Sequence, residues 1–392
     1  MTTGNDKADR VYLDHAATGW PKPPGVLQAA IDYQTNCGVS VGRGVYQSSQ
    51  FASRLLLSAR QQVANLIGAE SADAIAFTAN GTQALVAGLY GVLGQNDHVV
   101  TSRAEHNSVL RPLACLVKNR HIQWTAAGCD RQGMVDLEEL KNACNARTRL
   151  IVLTHASNVT GAIQPIQEVA RFAAQRGIYF FVDAAQTVGY CPINVREMGI
   201  DMLAFPGHKG ACGMLGTGVL YLNQKLAAKF ESPWIGGTGT DSSRLEGPFG
   251  WQEAVESGNL NMPAIASLES GVSWVQSGFD EHRVRMEDQK KRVQSILQGS
   301  RLFQLIGPRQ LANRVPVFSV TCKSLAPQEL ASIFDSSFGI EVRAGLHCAG
   351  LIHDNLGTSA TGGTVRMSLG HTSTTKDIDR LEAAIQSLEQ HF

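Results

Sequence analysis

The chain has 392 residues, 43% of them hydrophobic, enough to bury a large core, and its length points to two domains or more. Lysine plus arginine equals aspartate plus glutamate at 34 each, so no electrostatic case exists for a nucleic-acid or anionic-membrane partner. Eight cysteines at 37, 115, 129, 144, 191, 212, 322 and 348 form no CxxC pair, which argues against a zinc pattern or a small disulfide framework, and no metal site is expected. No apolar run approaches ~18 residues, and the opening MTTGNDKADR lacks the apolar segment of a signal peptide. The expectation is a cytoplasmic, enzyme-sized globular chain with reduced thiols.

In chain order, VYLDHAATGWPKPP (11–24) reads as a short strand, a turn, and prolines that exclude early helix. A short helix follows over 26–33. The loop NCGVSVGRG then carries Arg43 between two glycines, either a solvated charge or a group reaching an anion. Residues 48–67 form a helix with Leu55, Leu56, Val63, Leu66 and Ile67 on its apolar face. Residues 74–93 read as strand, tight turn, helix. The turn Asn80-Gly81-Thr82 sets backbone N–H groups and a hydroxyl at a helix N-terminus, which favours an anion. Simple capping by Asn80 or Thr82 explains the same residues.

Strand 98–102 leads into a loop with Glu105, His106 and Asn107. His106 sits just past a strand end, where open α/β sheets bind ligands, although a lone histidine is more often structural. Strand 150–154 leads into HASNVTGAIQPI, with Asn158 in a glycine-containing turn, and a helix spans 166–176. The apolar strand 178–183 ends in Asp183 and is followed by Ala184, Ala185 and Gln186. A carboxylate there is costly unless paired, and a pyridinium N–H is one suitable partner.

The segment DMLAFPGHKGACGMLGTGVLYL (201–222) reads as two buried strands joined by a tight, glycine-rich connection that carries His208 and Lys209. A lysine at such a joint is either a structural charge with a hidden partner or a functional amine with a lowered pKa. A lysine that forms a Schiff base with pyridoxal phosphate needs this kind of site. Strand–helix alternation through this half implies a mostly parallel sheet with helices on both faces. Residues 231–263 read as a long polar loop, functional or at a subunit interface. A long helix from 264 to about 297 bridges to a second domain, with strands near 315–322 and 340–343 and a final helix over 375–390. Its loop carries Cys348 and Arg366. Cys348 follows His347, which favours the thiolate, and Arg366 opens an apparent strand from which it can clamp a carboxylate bidentately.

The ordered set EHNSVL, HASNVTG, VDAAQ, GHKG and RAGLHCA resembles the class V branch of pyridoxal-phosphate enzymes, in particular the cysteine desulfurases, over nearly the whole chain. That resemblance implies an α/β fold of type I: a large domain with a mostly parallel seven-stranded sheet (15–263) and a smaller α+β domain (264–392) joined by the N-terminal segment 1–14. It implies pyridoxal 5′-phosphate as cofactor, with Lys209 as the lysine that bonds it and Asp183 on its ring nitrogen. His106 would stack on the ring and assist proton transfer. Asn158 and Gln186 would meet its phenolic side, while Gly81, Thr82 and His208 hold the phosphate. Ala16, Arg43, Asn158, Arg343 and Arg366 would line the substrate, Arg366 with Asn158 taking its carboxylate. Cys348 corresponds to the sulfur-accepting cysteine, and Lys209, Cys348 and His106 form the catalytic set.

Two positions depart from the family. Pro206 replaces a hydroxyl residue three before the lysine, and Asn259 stands where a threonine reaches the partner subunit's phosphate; a looser hold on the cofactor follows. The stretch SATGGT before Arg366 resembles a desulfurase-like subgroup assigned to sulfur or selenium mobilisation. The implied activity is conversion of L-cysteine to L-alanine by a homodimer, with the sulfur kept on Cys348 and passed to an acceptor protein. Selenocysteine lyase, another aminotransferase or C–S lyase of the same fold, and a non-catalytic scaffold are the rival readings.

Overall fold

The computed structural model describes residues 10–42, 44–231, 234, 236–237 and 250–392. The chain begins with β1 (Val11–Tyr12), α1 (Val26–Asn36), α2 (Gln47–Ile67), β2 (Ile75–Thr78), α3 (Gly81–Val92), β3 (His98–Ser102) and α4 (Asn107–Arg120). It continues through β4 (Gln123–Ala127), α5 (Leu137–Ala143), β5 (Thr148–Thr154), α6 (Ile166–Gln175), β6 (Tyr179–Asp183), β7 (Met202–Pro206), β8 (Gly218–Leu222) and α7 (Gln224–Ala227). Then come α8 (Trp251–Val255), α9 (Met262–Ser277), α10 (Phe279–Gly299), β9 (Phe303–Ile306), β10 (Val317–Cys322) and α11 (Pro327–Phe338). The last elements are β11 (Ile340–Glu341), β12 (Arg343–Gly345), α12 (Gly350–Leu356), β13 (Thr364–Ser368) and α13 (Thr375–His391).

Seven strands form one sheet in the order β2-β8-β7-β6-β5-β3-β4. All run parallel except β8, which is antiparallel to both neighbours because it returns directly beside β7. The α/β reading with a mostly parallel seven-stranded sheet therefore holds. Period-two alternation sends Phe180 into one core and Phe181 into the other, so the sheet is covered on both faces. The carboxyl ends of β3, β5, β6 and β7 open on the same side, the place where such sheets bind ligands.

A second sheet, β12-β13-β10-β9, is antiparallel, and β1 pairs in parallel with β11. Val11 and Leu13 share a core with Phe318, Phe334 and Leu381, so the N-terminal strand packs with the C-terminal third.

Several boundaries differ from the sequence reading. The helix over 264–297 is two helices that meet at Gly278. Ile265, Leu268 and Val272 of α9 belong to the large-sheet core, whereas Met286, Val293 and Leu297 of α10 belong to the second. The change of core thus falls at Gly278 rather than at 264. Trp274 and His282 stack at 4.1 Å across the joint, and a Cβ on Gly278 would meet the His282 ring at 2.8 Å. The connection of β7 to β8 is a wide loop over 207–217, α8 interrupts the stretch read as loop, and the strand expected from 315 starts at Val317. β4 and β9, short edge strands, have no counterpart in the sequence reading. Among the described residues, no helix is long and apolar enough to cross a membrane.

Arg314 organises the turn whose backbone ties the two halves together. It is fully buried with no acidic partner among the described residues; its guanidinium donates to the carbonyls of Ile306 (3.0 Å), Pro308 (2.8 and 3.1 Å) and Val317 (2.9 Å). Next to it, Val315 N–H donates to Gly161 O at 2.9 Å, joining this turn to the one that follows Asn158. Arg314→Ala leaves those carbonyls without donors and is expected to lower stability by ~3 kcal/mol, read from the midpoint of chemical denaturation.

Candidate active site

A cavity of about 130 Å³ lies at the carboxyl ends of the parallel strands. β6 delivers Asp183, 3% exposed, whose Oδ1 accepts the Ala185 N–H at 3.0 Å. Burial pushes its carboxyl above the ordinary range, opposed by that N–H and by Lys209. The loop after β7 delivers Lys209. The His208 carbonyl accepts from Gly19 N–H (2.9 Å) and Lys22 Nζ (2.8 Å), and His371 Nε2 lies 3.2 Å from the Gly210 carbonyl, so the lysine backbone is pinned on both sides. Burial brings the Lys209 amine down to about 8; Asp183 opposes the shift, and Arg366 and Arg343 add to it.

The start of α3 forms the opposite wall. Asn80 caps it, Oδ1 accepting the Gln83 N–H at 2.9 Å. The cap and the anion site are therefore compatible: among the described residues, nothing bonds the N–H groups of Gly81 or Thr82. A Cβ on Gly81 would meet the Pro206 ring at 3.0 Å, so glycine lets the helix start close on the end of β7. Thr82 Oγ1 pairs with Ser108 Oγ at 2.8 Å, which lies 2.9 Å from His106 Nδ1. That Nδ1 also accepts the Ser108 N–H at 3.0 Å, which leaves the ring proton on Nε2. Burial, helped by Lys209 and Arg366, lowers His106 to about 4, and the ring is neutral. His208, 3.1 Å from Thr18 Oγ1, is lowered to about 4 by burial and is neutral too.

Asn158 links the cavity to the cysteine loop: its Nδ2 donates to the His347 carbonyl at 2.7 Å, and its own carbonyl accepts from Arg366 Nη1 at 3.2 Å. Gln186 Nε2 donates to the Ala16 carbonyl at 3.0 Å. Arg366, 2% exposed, pairs through Nη2 with Asp14 Oδ1 at 2.7 Å, and Arg343 Nε meets Asp14 Oδ2 at 3.1 Å. Cys348 is exposed, and its carbonyl accepts the Asn107 N–H at 2.7 Å, one residue from His106. His347 and Cys348 both have left-handed backbone, at φ 50° and 57°, and α12 follows directly.

One expectation fails. His347 does not supply positive charge to Cys348, because it is buried, its Nε2 lies 3.0 Å from Thr364 Oγ1, and burial lowers it to about 2. Asn259 is exposed and does not line this cavity, and Arg43 lies outside the described residues. The sequence alone assigns no role to Asp14, Lys22 or Ser108. Glu105, a loop residue in the sequence reading, is fully buried, accepts from Ser102 Oγ (2.6 Å) and Thr154 N–H (3.0 Å), and is pushed up to about 8 by burial. No group of three or more His, Cys, Asp or Glu positioned for a metal occurs among the described residues.

The cavity suits a group with both a protonated ring nitrogen and a phosphate. The under-bonded Asp183 carboxylate matches the first, and the unpaired N–H groups opening α3 match the second. The family model described as aminotransferase class-V matches residues 11–381. A "probable cysteine desulfurase" of Methanothermobacter thermautotrophicus is 32% identical over 97% of this chain and 95% of that protein. A "cysteine desulfurase" of Haloferax volcanii is 30% identical over 99% of this chain and 91% of its own length. Among solved structures, the apo cysteine desulfurase of Thermococcus onnurineus NA1 superposes with a TM-score of 0.90 at 29% identity, covering 100% of this chain and 99% of that one.

The lowered amine gives a pH signature. Below about 8 Lys209 is protonated and inert; above it the neutral nucleophile predominates. Acylation of Lys209 in cofactor-free protein, followed by peptide mass spectrometry, should rise with a midpoint near 8 rather than at the ordinary lysine value.

Proposed function

The chain belongs to the aminotransferase class-V family, and on that premise we propose that it is a cysteine desulfurase that converts L-cysteine to L-alanine and holds the sulfur on Cys348. One observation carries this reading furthest. An exposed cysteine is bonded through its backbone to Asn107, beside His106, and the preceding carbonyl is bonded to Asn158 in the cavity wall. A sulfur acceptor is thereby tethered to a site that already holds a lysine with a lowered pKa.

Pyridoxal 5′-phosphate is the cofactor in this reading, and when bound it supplies the electron sink that acidifies the substrate Cα–H. Asp183 would hold its ring nitrogen, Lys209 its carbonyl carbon, and Gly81, Thr82 and His208 its phosphate. His106, neutral and protonated on Nε2, would face it with Gln186. Arg366 takes the substrate carboxylate, with Asn158 and Ala16 lining the same side and Arg343 adjoining through Asp14. Lys209 Nζ moves the Cα proton. The Cys348 sulfur attacks the substrate sulfur, so that overall L-cysteine plus a thiol becomes L-alanine plus a persulfide, with no external oxidant. The persulfide then passes to an acceptor protein from the exposed position of Cys348, beside Leu346 at 44% exposure. All eight cysteines are free, which suits a reducing, cytoplasmic location.

A homodimer is part of the proposal. Leu27 and Ile31, one turn apart on α1, are 51% and 53% exposed, and Tyr46, Phe51 and Leu57, just before and on α2, are exposed as well. A second copy of this chain is the occupant we assign to this surface, bringing Asn259 to the neighbouring cavity.

Alanine formation from L-cysteine and L-selenocysteine, side by side, tests the activity. Lys209→Ala should lower turnover of both by ~10³-fold or more. Cys348→Ala should abolish cysteine turnover; cysteine turnover that survives it removes the desulfurase reading, and turnover of selenocysteine alone makes the protein a selenocysteine lyase. For the dimer, sedimentation should give twice the 42.1 kDa chain mass, and Ile31→Asp should shift it to monomer. A monomeric wild type would rule the dimer out.

A further inference from the structure

The cavity wall at the start of α3 carries two hydroxyls from two different helices. Thr82, the second residue of α3, is exposed and lines the cavity; Ser108, the second residue of α4, lines it too but is buried. Their oxygens lie 2.8 Å apart. Ser108 has one hydroxyl proton and two neighbours able to receive it, Thr82 Oγ1 and, at 2.9 Å, His106 Nδ1. That nitrogen already accepts the Ser108 N–H at 3.0 Å, a bond that fixes Ser108 in place and leaves its hydroxyl free to serve elsewhere. Once an anion takes the Thr82 proton, Thr82 Oγ1 becomes the acceptor for Ser108. The chain then runs one way, from Ser108 to Thr82 to the anion, and each bond strengthens the next. Pro206, packed against Gly81 at the end of β7, also lines the cavity but has neither an N–H nor a hydroxyl to offer.

We propose that Ser108 is a positioning residue for the cofactor phosphate: its buried hydroxyl donates to Thr82 Oγ1 and aims the Thr82 hydroxyl proton at the phosphate held on the start of α3. This rests on the reading of Gly81 and Thr82 as phosphate-holding groups and adds to it a second hydroxyl, from α4, that acts through the first. Without Ser108 the exposed Thr82 hydroxyl loses the bond that orients it and turns freely. With it, the phosphate meets an oriented side-chain donor beside the unpaired N–H groups of α3, on a wall where Pro206 supplies none. His106 stays an acceptor through the Ser108 N–H, so the ring keeps its proton on Nε2 while the hydroxyl turns to Thr82.

The test is binding of pyridoxamine 5′-phosphate and of pyridoxamine to the cofactor-free full chain, followed by fluorescence. Neither ligand bonds covalently to Lys209, and the ratio of their dissociation constants isolates the phosphate. Wild type should bind the phosphorylated ligand far more tightly. Ser108→Ala should reduce that preference about fivefold, the worth of one hydrogen bond. Thr82→Val should reduce it at least as much, and the double variant should lose no more than Thr82→Val alone, because the inner hydroxyl acts only through the outer one. A merely structural serine would weaken both ligands equally and leave the ratio unchanged. An unchanged ratio in Ser108→Ala, or losses that add in the double variant, overturns the inference and leaves the phosphate reading of α3 in place. If Ser108→Ala does not fold, Ser108→Cys, of similar size and with only a weak donor, replaces it with the same expectations. Wild type that binds the two ligands equally overturns the phosphate reading together with the inference.

Discussion

The peptide on either side of Lys209 is held by groups from opposite ends of the chain. Gly19 and Lys22 donate to the carbonyl before it, and His371 meets the carbonyl at Gly210. These bonds close the N-terminal segment and the C-terminal third over a loop that would otherwise face water. The dry surroundings that result bring the amine down to about 8, and without them it would stay a protonated surface lysine. Asp183, at the end of β6, opposes the shift. A fixed backbone and a loosely partnered amine are together what a nucleophilic lysine requires.

Charge in the site is segregated. His106, His208 and His347 are all neutral, each for the same reason of burial. The wall formed by the start of α3 therefore meets an anion with hydrogen-bond donors rather than with cations. Positive charge sits instead on Arg343 and Arg366, where the small sheet meets the N-terminal segment, and Asp14 balances half of it. The hydrogen-bond donors at the start of α3 line the cavity, whereas the two arginines lie outside its lining, so anions at the two places would be met by different physics.

What the sequence disclosed was mostly what neighbours in the chain decide. The strand ends at Ser102, Thr154 and Asp183 were legible because apolar runs stop there, and the Asn80 cap because capping is local. β4 was not, since QWTAA is a short edge strand, exposed or half-buried except at Ala127, with no apolar run to mark it. The break at Gly278 was hidden because apolar spacing continues across it into α10 while the core it serves changes. His347 misled for a related reason: adjacency to Cys348 suggested a charged neighbour, but packing buried the ring and directed it to Thr364.

By itself the sequence determined the α/β alternation, the order of the motifs and the residue types that can carry out the chemistry. These depend on side-chain periodicity and on covalent neighbours. Protonation states, the Asp14 bridge between two arginines and the attachment of the cysteine loop to Asn158 were decided by the tertiary structure alone. Asp14 and Arg366 are 352 positions apart. No local pattern encodes their meeting, and only the packing of β1 and the residues after it against the small sheet brings a carboxylate to both guanidinium groups and takes Arg366, 2% exposed, out of the water that would otherwise screen it.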